Sequence, residues 1–355
     1  MKTYTFLILS FALLLCTSCE ESDANKGDEQ GQTVIRLGFG SCASQDKPQP
    51  MLDIAADKKL DAFIYLGDNI YGDSRVMDTL KAKYARLAAK ESFQHLKAST
   101  QLFATWDDHD YGENDAGRHY PFKAASKEIF MDFWEVPSHS ERRKHEGIYG
   151  EERIKKGALD VQIILLDTRT FRDHLLHREK SDTTRGFKND YIVNTGTDST
   201  MLGETQWTWL KETLKKPADV RIVASSNQFS HEYNGWESWT NVPSEQKKFI
   251  ELIKETKANG VVFISGDVHW GEISKMPVDD GYPLYDVTSS GITQTWDIIE
   301  PNKNRMGEAI PQNNVGLIEI TKSSDGVQLQ LALIDSSASA VQTHDLKLPE
   351  ISFEK

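Results

Sequence analysis

The chain is predicted to fold as one α/β domain, because buried-strand patterns alternate with amphipathic helical patterns from residue 34 onward. Apolar residues recur at helical spacing in MDTLKAKYARLAAKESFQHL, ETQWTWLKETLKK and SEQKKFIELIKET. Beyond residue 270, strand patterns such as LYDVTSS, NVGLIEI and VQLQLALID follow one another without helices, which predicts a mostly antiparallel sheet that completes the domain. The six earlier strand segments are VIRLGFGSC, AFIYLGD, QLFATWD, DVQIILLDTR, VRIVASSNQ and VVFISGDVH.

Length and charge limit the function. A chain of 355 residues allows one large domain or two ordinary ones, and the absence of an internal repeat or a linker after residue 33 favours a single domain over residues 34–355. The formal net charge of -13 argues against nucleic acid as a stable partner, because phosphate backbones are held mainly by Lys and Arg. A small anionic substrate is compatible with this charge if cations neutralise the site locally. We expect a monomer.

The N-terminus has the features of an export signal. One lysine precedes an apolar run over residues 6–15, which is too short to span a bilayer, and small residues then lead to Cys19. This ending is similar to a lipobox, so residues 1–19 are predicted to be a lipoprotein signal peptide, with a plain signal peptide as the alternative. Residues 20–33 are polar and acidic, as in a flexible tether. The expected location is the outer membrane or cell surface, through a lipid anchor on Cys19, or the periplasm.

Polar side chains follow the predicted strands, at the point where each strand ends. They are Cys42, Asp68, Tyr71, Asp107, Asp108, Asp110, Asp167, Arg169, Asn227, Asp267 and His269. Because α/β sheets bind ligands at the carboxyl ends of their strands, we expect these side chains to converge on one edge. The crowded carboxylates of WDDHD would repel each other unless water or cations surrounded them. The combination of carboxylate, thiol and imidazole groups therefore predicts a metal site.

Each of these residues also has an ordinary structural explanation. Asp68 or Asp267 can cap a turn, Tyr71 can simply pack, His269 can be a satisfied core histidine, and a lone Cys42 can be a small buried apolar residue. It is improbable, however, that several buried strands end independently in metal-ligand residue types. A carboxylate can bridge two ions, a phenolate suits a hard trivalent ion, and a thiolate excludes calcium alone. A mixed site with one transition metal and one or more harder cations fits this set best.

The motifs resemble those of the PhoD-like alkaline phosphatases, a branch of the calcineurin-like metallophosphoesterases. The resemblance implies a four-layer αββα sandwich with mixed sheets, and a metal centre of iron (Fe3+) accompanied by calcium (Ca2+). The matching motifs keep the family's order and spacing over most of residues 34–296. The matching segments are GSC (40–42), GDNIY (67–71), WDDHDYGEND (106–115), LLDTRTFRD (165–173), GETQWTWL (203–210) and SGDVHWGE (265–272).

The resemblance also implies roles for individual residues. His109 is the expected catalytic residue, which either protonates the leaving alkoxide or stabilises the transition-state charge, and Arg169 is expected to face the phosphate. Metals are expected to acidify a bound water or oxide and to clamp the phosphoryl group. By motif position, iron is expected at Cys42, Asp68, Tyr71 and Asp267, with Asp68 shared, and Asp108, Asn227 and His269 are expected to complete the metal shell.

Three departures from the family pattern affect substrate preference more than metal chemistry. Only about fifteen residues separate Cys19 from the first strand, where better-known members carry an N-terminal β-sandwich. WDDHD ends in Asp110 where Glu is commoner, and END replaces NN, so the role of Asn114 is open.

Four tryptophans near the strand ends either line a substrate pocket or pack in the core: Trp236, Trp239, Trp270 and Trp296. The long loop over residues 170–203 is either a lid or a surface excursion.

Three functions fit the sequence. The first is a phosphomonoesterase that scavenges phosphate, and the second is a phosphodiesterase or phospholipase with the same metals. The third is a non-catalytic calcium-binding surface lipoprotein. That third function predicts DxDxDG-like loops, which the sequence lacks, and it has no use for Cys42 or His109. A small phosphate ester is therefore the expected substrate.

Overall fold

A computed structural model of the chain describes Met1 and residues 31–179 and 191–353. Apart from Met1, the predicted signal peptide over residues 1–19, including Cys19, lies outside the described residues, as does most of the predicted tether over residues 20–33. The middle of the 170–203 loop also lies outside them. Among the helices in the described ranges, none is long and apolar enough to cross a membrane.

The strands are short, and most are rich in β-branched and aliphatic residues that favour pleated, half-buried surfaces. In chain order they are β1 Thr33–Gly40, β2 Ala62–Leu66, β3 Gln101–Thr105, β4 Gly150–Lys156, β5 Leu159–Leu165, β6 Leu176–His177, β7 Tyr191–Ile192, β8 Val220–Ala224, β9 Val261–Ser265, β10 Gly271–Met276, β11 Leu284–Ser289, β12 Arg305–Ile310, β13 Asn314–Ser323, β14 Gly326–Asp335 and β15 Ala340–Lys347.

The helices bury one apolar face each and occur mainly in the first two thirds of the chain. They are α1 Pro50–Asp57, α2 Met77–Ala88, α3 Glu91–Ser99, α4 Asp108–Tyr111, α5 Lys123–Phe133, α6 Glu141–Lys144, α7 Gly203–Leu214 and α8 Pro243–Thr256.

Two mixed sheets form the centre of the molecule. The first has the strand order β15-β14-β13-β1-β2-β3, in which β1, β2 and β3 are parallel and β13 pairs antiparallel with β1. The second has the order β12-β10-β11-β9-β8-β5-β4, with parallel pairing from β11 to β5 and antiparallel pairing at both edges. The strands β6 and β7 form a separate two-stranded sheet.

The alternation of side chains along β2 shows how the layers stack. Ile64 and Leu66 belong to a core that also contains the second sheet, α7 and α8. Phe63 and Tyr65 point the other way, into a core shared with α1, α2, α3 and α5. The layers therefore run helices, sheet, sheet, helices, and the predicted four-layer αββα sandwich with mixed sheets is confirmed.

Three details differ from the sequence prediction. The strands after residue 270 do not form a sheet of their own, because β10 to β12 extend the second sheet while β13 to β15 extend the first. The predicted long helix after residue 76 is two helices, since Lys90 has an extended backbone with ψ 130°. This break lets α3 bury Phe93 and Leu96 in a direction that a continuous α2 would not reach. The strands β4 and β12 were not predicted, because GEERIKK and RMGEAI are too polar to show a buried-strand pattern.

Candidate metal centre

The carboxyl ends of parallel strands from both sheets meet at one edge of the sandwich. The first sheet contributes the turns after β1, β2 and β3, and the second contributes the turns after β8 and β9. All seven predicted metal ligands and His109 lie on these turns. They are Cys42 after β1, Asp68 and Tyr71 after β2, Asp108 and His109 after β3, Asn227 after β8, and Asp267 and His269 after β9.

Several of these turns use backbone conformations that ordinary residues avoid. Cys42, Asp68, Asp267 and His269 have φ values of 61°, 49°, 73° and 65°, in the left-handed region. Such strain costs of order 1–3 kcal/mol per residue and tends to occur at functional sites. The chain therefore accepts a local cost that turns these four side chains toward one another.

The metal-ligating atoms form three overlapping groups, in each of which the atoms lie within 4.8 Å of one another. Asp68 belongs to the first two groups and Asp108 to the last two, so each carboxylate is placed to be shared. The groups are Cys42 with Asp68 and His269, Asp68 with Asp108 and His109, and Asp107 with Asp108 and Asp267.

Cys42 is fully buried at the inner end of this cluster. Its Sγ lies 3.5 Å from Asp68 Oδ2, 3.1 Å from Ser290 Oγ and 3.7 Å from the carbonyl oxygen of Asp267. Burial raises the pKa of the Cys42 thiol to about 12. A thiol in this position would be neutral without a nearby cation, and a metal ion would convert it to thiolate.

Several buried ligand atoms of the cluster make no hydrogen bond within the described part of the chain. They are Asp68 Oδ1, Asp107 Oδ2, Asp108 Oδ1 and both amide atoms of Asn227, whereas the second oxygens of Asp107 and Asp108 bond Arg169 and the N–H of Asp115. Burial, followed by the charges of neighbouring acids, raises the pKa values of Asp68 and Asp267 well above their usual range. Burying a carboxylate oxygen without a partner costs free energy of folding unless a cation binds it. The donor set therefore fits one or more metal ions.

Tyr71 and His269 lie beside the first group. The Tyr71 hydroxyl is 3.3 Å from His269 Nε2, so both side chains reach the region of Cys42 and Asp68. Burial lowers the pKa of His269 to about 4, which keeps the imidazole neutral and able to accept a metal. Burial raises the pKa of Tyr71, so a phenolate here would also need a cation.

His109 is held by a carboxylate on its outer side. Its Nδ1 lies 2.7 Å from Asp73 Oδ1, which leaves Nε2 as the nitrogen available to a ligand. Its ring packs 4.4 Å from the Tyr71 ring, measured between centroids. Burial alone would lower the pKa of His109, but the charge of Asp68, the Asp73 hydrogen bond and the charge of Asp108 outweigh it and raise the pKa to about 10. The surrounding carboxylates therefore favour the protonated form of this imidazole.

Arg169 is fully buried and faces other protein groups. Its guanidinium bonds Asp107, lies 3.7 Å from Asp108 Oδ1 and 2.8 Å from Glu237 Oε2. Burial tends to raise the pKa of Asp108, but the charges of Arg169 and His109 outweigh it and lower the pKa to about 2. In this structure Arg169 thus supports the carboxylates of the cluster, and the expected contact with a substrate phosphate stays a prediction.

Two other aspartates of the motifs hold the loops in place. Asp110 Oδ1 accepts the N–H of Asp107 at 2.7 Å, and Asp110 Oδ2 accepts from Asn69 at 2.5 Å. Asp167 accepts hydrogen bonds from the Trp106 indole and from the backbone N–H of Ile148, at 2.9 and 2.8 Å. These carboxylates stabilise the turns after β3 and β5, so the WDDHD charge is divided between loop support and the metal cluster.

A cavity of about 280 Å³ opens onto the cluster. Trp236, Trp270 and Trp296 line it, as one of the two predictions for the tryptophans proposed. Trp239 does not line the cavity, because its ring packs between helices α7 and α8 and the second sheet and is fully buried. Its indole N–H donates to Ser225 Oγ at 3.0 Å. The other lining residues are Asp68, Asp108, His109, Asn114, Asp115, Tyr191, Glu237, Asp267, Val268 and His269.

Sequence reasoning did not assign roles to four residues that complete the site. Asp107 joins the third ligand group, Asp73 holds His109, Ser290 contacts the Cys42 thiol and Glu237 pairs with Arg169. Only Asp107 carried a visible signal, since it stands in WDDHD. The others come from loops and strands distant in sequence, and only the fold brings them to the cluster.

Comparison with known proteins agrees with this geometry. Alkaline phosphatase D of Bacillus subtilis (strain 168) is 26% identical over 281 residues, which is 67% of this chain and 45% of that protein. The chain therefore matches less than half the length of that relative. A solved structure of PhoD covers 88% of this chain and 68% of its own, with a TM-score of 0.66 and 17% identity. A dimetal phosphatase from Danio rerio covers 88% and 99%, with a TM-score of 0.50 and 13% identity.

The two-sheet sandwich with a metal-ligand cluster at its strand ends is a metallophosphoesterase-like fold. The family model for PhoD-like phosphatases matches residues 37–302, which is most of the described domain. The chain belongs to the PhoD-like phosphatase family, as the motifs indicated.

Proposed function

We propose that the protein is a metal-dependent phosphoric ester hydrolase of the alkaline phosphatase D type. One observation carries this proposal: the ligand groups around Asp68 and Asp108 share one cavity with His109. Metal ligands alone would suit a binding protein, but a histidine beside them, held through Nδ1 by Asp73 so that Nε2 is available, supplies a proton-transfer group that hydrolysis uses and metal binding does not need.

We propose iron and calcium as the metals. The thiol of Cys42 and the Tyr71 phenol beside Asp68 favour a transition metal such as Fe3+ at the inner position. The carboxylates of Asp107 and Asp108, with the Asn227 amide, favour a hard cation such as Ca2+. Asp267, which its motif position assigns to iron, has its carboxylate within reach of the Asp107 and Asp108 group as well. When bound, such metals acidify water and neutralise phosphoryl oxygens.

The protein's own residues then have separate tasks during hydrolysis. Water loses one proton to solvent and its oxygen forms the new bond to phosphorus, the bond from phosphorus to the ester oxygen breaks, and that oxygen takes a proton from His109, which solvent then reprotonates. Asp73 holds the imidazole so that Nε2 delivers the proton. Arg169 acts through Asp107 and Asp108, whose positions and charge it maintains. The products are an alcohol and a phosphate.

The test is activity on panels of phosphate monoesters and diesters, with iron and calcium measured on the same preparation. Hydrolysis of either panel by metal-containing protein supports the proposal, and the preferred panel distinguishes a phosphomonoesterase from a phosphodiesterase. A preparation that binds calcium yet hydrolyses neither panel would contradict it and would favour the non-catalytic alternative.

We further propose that the protein is exported and held to a membrane by lipid on Cys19, and that it acts as a monomer. The apolar run before Cys19 and the acidic segment after it support this proposal. Fractionation of cells that express Cys19→Ala tests it. The variant should leave the membrane fraction, and a variant that stays membrane-bound would count against the anchor.

A further inference from the structure

A continuous aromatic wall forms the outer half of the cavity. The rings of Trp236 and Trp296 pack with centroids 5.6 Å apart and planes at 78°, so they form a corner. The Trp296 ring also lies near the His269 ring, with 5.9 Å between the ring centroids. On the other side, the N–H of Tyr191 donates to the carbonyl of Gly235 at 3.2 Å, which places Tyr191 beside Trp236. The wall thus runs from Tyr191 to the candidate metal centre.

The charge along this wall is negative and only partly balanced. Glu237 is neutralised by Arg169 and Arg172, at 2.8 and 3.1 Å. Asp115 is exposed, and its carboxylate accepts a hydrogen bond from the Tyr191 hydroxyl. Within residues 31–179 and 191–353, no Lys, Arg or His forms an ion pair with Asp115. Among the described residues, the Asp115 carboxylate thus has no ion-pair partner, although the Arg172 guanidinium donates to the Asp115 backbone carbonyl at 2.6 Å.

The outer part of the described cavity lining offers no Lys or Arg to attract an anionic leaving group. The described lining residues include five carboxylates, and the basic side chains among them, His109 and His269, lie at the inner end with the metal-ligand groups. Metals at the inner end would neutralise Asp68, Asp108 and Asp267, and the two arginines already balance Glu237. Among the described lining residues, Asp115 alone remains; it bonds the Tyr191 hydroxyl and shares the cavity with Trp236 and Trp296. A neutral leaving group would gain from the rings only, whereas a cationic group would gain from both the rings and the carboxylate.

We propose that this outer half, the aromatic–acid subsite of Asp115, Tyr191, Trp236 and Trp296, binds the quaternary ammonium group of a phosphate ester such as phosphocholine. The inference rests on the proposed function, because it places the phosphoryl group at the metal centre. A quaternary ammonium has no N–H to donate, so aromatic faces and a nearby carboxylate are the groups that recognise it. The phosphoryl group lies inward, and the ammonium lies against the exposed Trp296.

The test compares phosphocholine with 3,3-dimethylbutyl phosphate, in which an uncharged tert-butyl group of nearly the same shape replaces the trimethylammonium group. The metal-loaded protein should prefer phosphocholine in kcat/KM by roughly 2- to 30-fold, the range that cation–π contacts provide. Trp296→Ala and Asp115→Asn should reduce this ratio toward one, and Trp296→Phe should keep part of it. Asn is near in shape to Asp115 and tolerates its φ of 53°. Trp209→Ala, on the outer side of α7, is the matched control and should keep the full ratio.

Binding of tetramethylammonium chloride, measured by calorimetry on the metal-loaded protein, gives a readout independent of turnover. Binding by wild type and its loss in Asp115→Asn support the subsite. If the protein hydrolyses p-nitrophenyl phosphate but shows neither ammonium binding nor a preference, the subsite is wrong and the proposed function stands. If tetramethylammonium binds but no ester is hydrolysed, the proposed function is wrong.

A soluble ester and a lipid headgroup share this chemistry, and two further substrates separate them. Glycerophosphocholine and phosphatidylcholine in mixed micelles carry the same ammonium on a diester. If any one of the three choline esters is hydrolysed at a rate that depends on Trp296, the subsite is supported. The ester that is hydrolysed then shows whether the ammonium comes from a soluble ester or from a lipid headgroup. Turnover of all three without such dependence overturns the subsite.

Discussion

At the scale of single residues, the site pairs each reactive group with one that controls its charge. Asp73 and the nearby carboxylates raise the pKa of His109, while burial lowers the pKa of His269, so the surroundings shift two histidines on one cavity in opposite directions. Arg169 keeps Asp108 ionised in a buried place where the carboxylate of Asp68 has a raised pKa. Divided roles of this kind are typical of catalytic sites.

His109→Ala tests the proton-transfer role. The variant should lose roughly 10²- to 10⁴-fold in kcat with alkyl phosphates, because an alkoxide needs a proton to leave. The loss should be much smaller with p-nitrophenyl phosphate, since nitrophenolate needs little protonation. Metal content should stay near normal. If the metals are lost instead, His109 is a ligand, and equal losses on both esters would mean that it stabilises charge without transferring a proton.

Cys42→Ser tests the inner metal position. Serine is almost the same size, so the protein should fold, but a hydroxyl is a poor ligand for a transition metal. We expect iron to be lost together with nearly all activity, as measured by elemental analysis and ester hydrolysis, while circular dichroism stays unchanged. Full activity with unchanged iron content would show that Cys42 is only a buried core residue.

At the scale of elements, the turns after the parallel strands create the site. Sequence patterns located the six strands that carry it, because apolar runs ending in polar residues are a strong signal. They could not show that Asp73, Glu237 and Ser290 complete the cluster, because those contacts depend on how loops from different strands fold back. They also left Trp239 ambiguous, since core and pocket tryptophans look alike in sequence.

The turn after β2 gives a direct test of this element. Gly67 has φ +102°, and a Cβ there would lie 2.5 Å from Asp107 Cβ and 2.7 Å from its backbone nitrogen. Gly67→Ala should therefore push Asp68 and Asp107 apart and lower activity by about 100-fold, as displacements near 1 Å do. Gly326→Ala is the matched control. Its φ is +104°, but a Cβ there meets nothing within 4 Å.

Both Gly variants share the backbone cost of a left-handed alanine, of order 1 kcal/mol, and both should melt at a lower temperature. Only Gly67→Ala should lose activity when assayed well below its melting temperature. Equal activity in the two variants would mean that the close contact between the turns after β2 and β3 has no role in catalysis.

At the scale of the whole molecule, the sandwich buries acidic groups that oppose its folding at high pH. Burial raises the pKa of Asp110 to about 8 and, despite two arginines, that of Glu237 to about 7. The folded state thus favours their protonated forms, and this stability is complete below about pH 4 and is lost as pH rises through 7 to 8. We expect the melting temperature of chelator-treated protein to fall from pH 5 to pH 8, as calorimetry can measure.

Added metals should oppose this loss, because ions that bind only the folded protein stabilise it by about 2.7 kcal/mol at 100 times their dissociation constant. The melting temperature at pH 8 should rise when iron and calcium are restored. A curve that is flat with pH and unaffected by metals would mean that the buried acids have protein partners sufficient to hold them.

The central claim is that the carboxylate cluster holds the metals used in ester hydrolysis. The most direct test is recovery of activity after chelation, when iron and calcium are returned to wild type and to Asp68→Asn. Asn keeps the shape and tolerates the φ of 49°, but it removes the charge shared by two ligand groups. The exposed Asp279→Asn is the control. Wild type and control should regain activity and bound metal, and Asp68→Asn should stay more than about 100-fold lower. Full recovery by Asp68→Asn, or activity in wild type that chelation never removes, would contradict the claim.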